Sequence, residues 1–329
     1  MKRIIFSLVI ALTAMLSIQA QQISVVSPSG GTTLCRSLQA AIGGADPGSI
    51  IYLPGGGFPI SDEVKITKKL TIIGIGHTAK GDNVDGVTTI SGNLWFNEGS
   101  SGSAVMGCYI TGDVNIGDGG ASVNDVLIRY CNLNSVQVKN STCLETMVNQ
   151  NYIRALSSFN GSNAIVTNNV LHSIRSLHNG IIAYNILAGV TLLDINGNTG
   201  RTTLHDCNQT QIKNNLVIVD GFMHYCFNSE ISGNMSKNES DASCEYHISA
   251  YTNWNDVFNN YNNGAISPYS DFTFKDDYKQ YEGKAGISGG TGFNKQQMAP
   301  VPYIVAKRVD EQTDSSGKLN VKIRVKANK

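Results

Sequence analysis

Three cationic residues in the middle of the chain each lie between an apolar and a polar neighbour. The triplets are Ile174-Arg175-Ser176, Leu204-His205-Asp206 and Met223-His224-Tyr225. An arginine can clamp a carboxylate through two hydrogen bonds, and a histidine or a tyrosine can accept or deliver a proton. If the triplets lie side by side, Arg175 would neutralise a uronate carboxylate and thereby acidify the proton at C5 of that sugar. His205 or His224 would remove this proton and Tyr225 would protonate the leaving oxygen, which is the β-elimination chemistry of a polysaccharide lyase.

Two other interpretations of the triplets stay open. A glycoside hydrolase needs two carboxylates roughly 5 to 10 Å apart across the scissile bond. Asp206 is the one carboxylate that the triplets contain, so hydrolysis is less favoured. The three cations would also suit an ordinary solvated face of a structural protein. The remaining candidates, His172, His178 and His247, are assigned to loops or to the surface.

A calcium site was considered at a glycine-rich loop. Asp113, Asp118 and Asp125 lie in or near residues 112–120. The spacing lacks the bidentate glutamate of an EF-hand and the tandem nonapeptide pattern of calcium-binding β-rolls. Calcium therefore stays an open alternative without a supporting motif, and the cofactor and the metal ligands stay unknown.

The elements that would position the triplets are predicted by a repeat. Segments of the form apolar-x-x-Asn-apolar recur about every twenty residues, with short apolar strands and no helical pattern between them. Their asparagines form one column, which Cys131 and Cys108 extend upstream: Asn151, Asn169, Asn185, Asn215, Asn234 and Asn260. Asparagine tolerates left-handed turns, and its amide can bond to the equivalent amide one strand away. The column predicts an asparagine ladder at one corner of a coil with three strands per turn.

The ladder sets a register for the rest of each turn. Counting eight residues back from the ladder gives a second, mostly apolar column, Cys143, Gly161, Leu177, Cys207 and Cys226. A third column three residues earlier, Ile174, Leu204 and Met223, is also apolar, so the alternation of a strand must break between the two. The register predicts a bend there and places Arg175, His205 and His224 in one outward-facing line.

Composition supports this architecture. Only 15% of the 329 residues are charged, glycine occurs 34 times and the net charge is zero. Helical bundles need strong helix formers and charged surfaces, and nucleic-acid binding needs a basic footprint, so both classes are disfavoured. Seven cysteines follow residue 20, and their odd number leaves at least one thiol unpaired in a monomer. We interpret most of them as small buried apolar residues and assign no disulfide pairing.

The two ends of the chain carry other signals. Residues 1–20 have the charged start, apolar stretch and small-residue end of a secretory signal peptide. Residues 33–42 place Leu34, Leu38, Ala41 and Ile42 on one helical face. Alternating segments near residues 303–310 and 319–325 predict a C-terminal hairpin. The predicted organisation is a signal peptide (1–20), an N-terminal cap (21–48), a solenoid (49–290) and a hairpin cap (291–329).

These segments resemble one known family. Leu38-Gln39-Ala40-Ala41, Asp46-Pro47-Gly48-Ser49-Ile50-Ile51-Tyr52-Leu53-Pro54-Gly55 and Lys69-Leu70-Thr71-Ile72-Ile73-Gly74 look like the start of secreted bacterial pectin-lyase-like proteins. The stretch from Asp271-Phe272-Thr273-Phe274 to Gly290 is similar to their final turns. The resemblance implies an all-β, single-stranded right-handed parallel β-helix of about ten turns.

The family includes polysaccharide lyases, glycosidases and adhesins, so the fold does not decide the activity. The chain lacks the family's clustered calcium-binding aspartates and the paired-Asp and Gly-His-Gly motifs of polygalacturonases. We expect a monomeric protein without a transmembrane segment that contacts a polysaccharide or cell-surface glycan and no nucleic acid. After removal of the signal peptide it is expected to be secreted, or to lie in the periplasm or at the cell surface. The candidate catalytic residues are Arg175, His205, Asp206, His224 and Tyr225, with a non-catalytic adhesive solenoid as the alternative.

Overall fold

The computed structural model describes most of the chain. The described residues are 22–62, 64–78, 86–193, 199–219, 221, 223–237, 243–249, 252–261, 270–294, 298–299, 302–309, 312–313 and 316–327. The predicted signal peptide lies outside them. Within these ranges, no helix has the length and apolar character needed to cross a membrane.

The chain forms a β-solenoid of about eight turns, built from two long sheets. The first sheet, called face 1, contains Ile23–Val26, Thr32–Cys35, Ser49–Leu53, Leu70–Gly74, Ala104–Met106, Leu127–Arg129, Met147–Asn149, Ile165–Thr167, Ile181–Ala183, Gln211–Lys213 and Glu230–Ser232. The second sheet contains Gly56–Pro59, Lys65–Ile66, Thr88–Ser91, Leu94–Phe96, Tyr109–Ile110, Val114–Ile116, Asn132–Val138, Tyr152–Ser157, Val170–Arg175, Ile186–Leu187, Leu204–His205, Leu216–Val217, Met223–His224, Met235–Ser236 and Tyr246–His247. Neighbouring strands pair in parallel, except that Ile23–Val26 runs antiparallel to both its neighbours. The predicted all-β coil is confirmed.

The second sheet supplies two faces of each turn. Face 2 begins directly after the ladder corner, as in residues 170–171, 186–187 and 216–217, and face 3 follows it, as in residues 174–175, 204–205 and 223–224. Inside the coil, like side chains stack from turn to turn. Along face 1 a fully buried β-branched column comprises Ile128, Val148, Val166, Ile182 and Ile212. Such residues prefer extended backbone and pack well on a pleated surface, which explains why these short strands form.

The corner between faces 1 and 2 holds the asparagine ladder. Asn151, Asn169, Asn185, Asn215 and Asn234 are fully buried. The Nδ2 of each donates to the Oδ1 of the next at 3.0 to 3.1 Å, as from Asn185 to Asn215 at 3.0 Å. The same oxygens accept backbone amides, and Asn151 accepts that of Cys131 at 2.8 Å. Each amide is therefore satisfied inside the coil, and this corner fixes the register of the strands that follow.

Asn260, predicted as the last member of the ladder, lies elsewhere. It is exposed in the strand Phe258–Asn260, which pairs antiparallel with Asp271–Phe274. The last parallel pairing joins Met235–Ser236 to Tyr246–His247. The described residues after 250, expected to form the final turns, therefore lie outside the coil, and the coil has about eight turns instead of about ten.

This later segment forms a second core on the outside of face 2. Helix α2 (Trp254–Val257), the antiparallel pair and a 3₁₀ helix (Asp276–Tyr281) lie in it. The buried outward column of face 2 comprises Tyr152, Val170, Ile186, Leu216 and Met235. It clusters with buried side chains of the later segment, Trp254, Phe258, Phe272, Phe274 and Ile287. Apolar residues on both sides of face 2 required this cover, because exposing the outer column would leave a large apolar patch in water.

The tail then returns along the outside of the ladder corner. The Asn168 side chain donates to the carbonyls of Ile287 (3.2 Å) and Gly289 (2.7 Å), and the Asn294 amide donates to Gln150 Oε1 (2.6 Å). Pro302 lines a cavity of about 200 Å³ together with Tyr52, from an early turn. The tail thus runs back towards the first turns, where Pro302–Val309 and Val321–Ala327 pair antiparallel.

The N-terminal helix is shorter than predicted. Helix α1 spans Leu38–Gly44, and the Ser37 side chain accepts the Ala40 amide at its start. Leu34, expected on the helix, lies exposed in the strand Thr32–Cys35 instead. Adjacent threonines favour extended backbone, and this strand pairs with Ile23–Val26. Leu38, Ala41 and Ile42 are buried in the solenoid core, as expected.

Candidate functional site

Face 3 places the three cationic residues in one line on three consecutive turns. Arg175 pairs with His205 in the strand register, and His205 pairs with His224. Their apolar predecessors also align, and Ile174 and Leu204 are fully buried. Because side chains alternate along a strand, the buried Ile174 and Leu204 turn Arg175 and His205 outward, and His224 is exposed after the partly buried Met223. The structure therefore brings these three predicted site residues together.

A bend follows the line and explains the break in alternation. Ser176, Asp206 and Tyr225 all have left-handed backbone, with φ of 59°, 55° and 55°. The Ser176 amide donates to the His205 carbonyl (3.0 Å) and the Asp206 amide to the His224 carbonyl (2.9 Å), so the bends of successive turns are tied together. The next residues point inward, and Leu177 and Cys207 are fully buried. We call this the site corner.

Aromatic rings cover the end of the line. The ring centroids of His205 and His224 are 5.2 Å apart, and the Tyr225 ring lies 5.7 Å from His205 and 3.8 Å from His224. Tyr225 is 56% exposed, and Phe227, 6.1 Å further on, is 61% exposed. Exposed aromatic rings beside cations form a surface that can stack on apolar faces of a ligand and bind its anionic groups.

Electrostatics favour a neutral imidazole at His205. Burial lowers the pKa of His205 below its usual value, and the neighbouring charges of His224 and Arg175 lower it further, against a smaller opposing effect of Asp206. A neutral histidine at pH 7 can accept a proton, which a cationic histidine cannot. His205 therefore has the state required of a general base.

Asp206 is engaged in local hydrogen bonds. Its carboxylate accepts the Asn208 side-chain amide (2.7 Å) and the Ser176 hydroxyl (3.4 Å), and it lies 3.6 Å from His178 Nε2. His178 Nε2 also lies 3.0 Å from the Asp206 carbonyl oxygen. These contacts hold Asp206 in the corner, and its side chain remains 41% exposed.

Sequence reasoning missed two residues of this surface, His178 and Phe227, and one residue that supports it, Asn208. His178 lies outside the named strands and is 37% exposed, in line with its prediction as a loop or surface residue, and it also contacts Asp206 across one turn. Asn208 also holds the Phe227 amide at 2.7 Å, and thereby links the turns that carry His205 and His224. Phe227 was detectable, because it stands two residues after Tyr225 and a short polar turn favours exposure. We define the cationic–aromatic patch as Arg175, His178, His205, Asp206, His224, Tyr225 and Phe227.

The aspartates considered for calcium have other partners. Asp113 accepts the side-chain amides of Asn134 (2.7 Å) and Gln137 (2.9 Å), and Asp118 pairs with Lys65 at 3.4 Å. Asp125 has φ of 56° and forms a corner. Within the described parts of the chain, no three His, Cys, Asp or Glu side chains cluster in a way that could hold a metal ion.

The described residues form a β-solenoid that exposes the cationic–aromatic patch on face 3. The chain matches no protein-family model, no curated protein and no solved structure. The family resemblance of its sequence therefore stays a prediction, and function has to be argued from the patch.

Proposed function

We propose that this protein is a secreted pectin-lyase-like β-helix that binds a uronate-containing polysaccharide on the cationic–aromatic patch and cleaves it by β-elimination. The observation that supports this proposal is the alignment of Arg175, His205 and His224 on three consecutive turns, beside the exposed Tyr225. We infer a right-handed coil, since parallel crossover connections are almost always right-handed. Export is inferred from residues 1–20.

Arg175, His205 and Tyr225 each perform one step of the proposed β-elimination. Arg175 pairs with the uronate carboxylate, which stabilises the negative charge that develops when the C5 proton leaves. His205, neutral because of its lowered pKa, takes this proton. The electrons of the C5–H bond form the C4–C5 double bond, the bond from C4 to the bridging oxygen breaks, and Tyr225 gives its proton to that oxygen. His224 packs against Tyr225, with the two ring centroids 3.8 Å apart.

Binding is shared with the rings. Tyr225 and Phe227 offer exposed apolar surface for stacking on sugar rings, while Arg175 selects for a carboxylate through a fixed donor geometry. An acidic chain is therefore favoured over a neutral one.

The experiment incubates the mature protein with a series of uronate polysaccharides and follows the ultraviolet absorbance of the unsaturated product. His205→Gln should lower the rate about 100-fold or more, the usual contribution of a general base. The matched control is His172→Gln, another histidine whose pKa burial lowers but which bonds to the Gly189 carbonyl outside the patch. Equal rates for wild type and His205→Gln would remove the assignment of the base.

The pH dependence follows from the sign of the shift. Because the pKa of His205 is lowered, the active neutral form persists to more acidic pH than an ordinary histidine of pKa about 6.5 would allow. The rate should rise with pH through an apparent pKa below that value and then level off. An acidic limb at or above it would contradict the role of His205.

One observation favours a second function. The strong exposure of Tyr225 and Phe227 also suits a non-catalytic adhesive solenoid that holds a surface glycan. Glycan-array binding that Arg175→Gln abolishes and Arg154→Gln preserves, without unsaturated product from any uronate polymer, would favour this adhesive function. Binding lost in neither variant would remove the patch from both proposals.

A further inference from the structure

Two pairs of cysteines stand at equivalent positions of consecutive turns. Cys108 and Cys131 precede the paired residues Tyr109 and Asn132 by one position. Cys207 and Cys226 follow the paired residues His205 and His224 by two positions, after the same left-handed bend. The two pairs share this stacked arrangement but differ in their surroundings.

The geometry of Cys207 and Cys226 suits a disulfide. Neighbouring strands lie about 4.8 Å apart, within the Cα separation of about 4.4 to 6.8 Å that a disulfide spans. Both thiols are free, and the side chains of Cys207 and Cys226 interact closely enough for each to shift the pKa of the other. The turns are also tied by the Asn208–Phe227 hydrogen bond and by the Ser229 hydroxyl, which donates to the Cys207 carbonyl at 2.9 Å. The strand register therefore places the two cysteines at a Cα spacing that a disulfide can span.

The two thiols differ in access and acidity. Cys207 is fully buried, whereas Cys226 is partly exposed beside the patch. The hydrogen bond from Cys207 lowers the pKa of Cys226, and the same bond together with burial raises the pKa of Cys207. An accessible thiol with a lowered pKa attacks first, and its buried neighbour resolves the product. Cys108 and Cys131 are both fully buried, and burial raises the pKa of both thiols, so this pair lacks an attacking member.

We propose that Cys207 and Cys226 form a redox-active pair, which a low-molecular-weight disulfide converts into a covalent link between the two turns that carry the patch. The Cys226 thiolate attacks one sulfur of the external disulfide, whose S–S bond breaks and releases one thiolate. Cys207 then loses its proton to water and attacks the Cys226 sulfur, which releases the second thiolate. Two protein thiols are oxidised and one external disulfide is reduced to two thiols.

The link would join neighbours of the patch on both turns. Cys207 follows Asp206 and Cys226 follows Tyr225, so the bond would fix the separation between the bends behind His205 and His224. The proposal stands on the thiols alone and holds whether or not the patch cleaves a glycan.

The test uses the full mature chain carrying Cys35→Ser, which removes the other partly exposed thiol. The protein is incubated with oxidised glutathione, blocked with N-ethylmaleimide and mapped by peptide mass spectrometry. We expect a single disulfide between Cys207 and Cys226 and two fewer blocked thiols, reversed by dithiothreitol. Adding Cys207→Ser should trap glutathione on Cys226 at a level at least tenfold above that of the parent.

The matched control adds Cys131→Ser, which breaks the buried pair and should leave the rate of Cys207–Cys226 oxidation unchanged. Full blocking of Cys226 after prolonged incubation with oxidised glutathione would overturn the proposal. A disulfide to any other cysteine would overturn it as well. These readouts are independent of glycan cleavage, so a failure here is distinct from a failure of the proposed lyase activity.

Discussion

The ladder corner and the site corner use the same backbone device with opposite side-chain chemistry. At the ladder corner a left-handed residue such as Gln150 or Asn168 precedes a buried asparagine, whose amide bonds to the next turn. At the site corner a left-handed residue such as Asp206 precedes a buried apolar side chain, Cys207. The ladder corner thus buries asparagine amides that bond to each other inside the coil, whereas the site corner buries apolar side chains and carries its polar side chains on the outside.

The outer surfaces of the two corners differ in the same sense. The tail covers the ladder corner, so that Gln150 and Asn168 are buried although they point away from the coil. The later segment covers face 2, whereas His224, Tyr225 and Phe227 remain exposed on face 3. A repeated fold can therefore acquire a binding surface by leaving one corner uncovered, without any change in its backbone plan.

The largest expected loss of stability follows from placing an asparagine, the ladder residue, at a buried apolar position of the site corner. Leu177→Asn removes a fully buried apolar side chain and inserts an amide whose stacked neighbour Cys207 cannot satisfy it. The loss of apolar burial and the unsatisfied amide together should lower the free energy of unfolding by about 4 kcal/mol or more. Urea denaturation measures this loss. Leu177→Met, the volume-conserving control, should cost less than about 1.5 kcal/mol, and equal losses for the two variants would contradict an apolar site corner.

The reverse test removes one member of the ladder. Asn185→Ala leaves the carbonyls of Val166 and Ala183 without their side-chain donor and interrupts the amide chain at Asn215. Unsatisfied buried groups cost about 1 to 3 kcal/mol each, so a loss of about 3 kcal/mol is expected in urea denaturation. The control is Asn260→Ala, an exposed position outside the coil, with an expected loss below about 1 kcal/mol. A larger loss of stability for Asn260→Ala than for Asn185→Ala would contradict the assignment of Asn185 to the ladder and of Asn260 to the outside of the coil.

Loss of the tail contact should have a smaller effect. Asn168→Ala removes two donated bonds to the tail and the bond that its Oδ1 accepts from Thr291 (3.1 Å), but leaves the ladder intact. We expect a loss of about 1 to 2 kcal/mol, together with faster hydrogen exchange in residues 286–294. Unchanged exchange there would show that Asn168 does not hold the tail.

The smallest effect tests the shared backbone device. Gln209, between the face 3 strand Leu204–His205 and the face 1 strand Gln211–Lys213, has φ of 53°, a conformation that glycine adopts without steric cost. Gln209→Gly should raise the free energy of unfolding by about 0.5 to 1 kcal/mol, since relief of strain outweighs the added freedom of the unfolded chain. Gln209→Ala should give no gain. A loss of stability in the glycine variant would contradict a strained corner.

The repeat made much of this predictable from sequence. A column of asparagines can satisfy its amides only when the turns are stacked in register, and this register placed Arg175, His205 and His224 on one face. The outer cover was not predictable from sequence. Tyr152 and Val170 are as apolar as the inward residues beside them, and only their tertiary contacts show that they point outward into a second core. Asn260 failed as a ladder member because an Asn-apolar pattern does not distinguish a parallel turn from an antiparallel pair. His178 contacts Asp206 on the next turn, and the number of residues between them does not predict that their side chains meet.

Hydrogen exchange with and without a uronate oligosaccharide tests most directly whether the site corner is the binding surface. The account predicts slower exchange in residues 173–178, 204–208 and 223–227, and no change in residues 147–151 or 165–169 at the ladder corner. The same protection should vanish in Arg175→Gln and persist in Arg154→Gln. Protection on face 1 or along the ladder corner, with none at the site corner, would contradict the account.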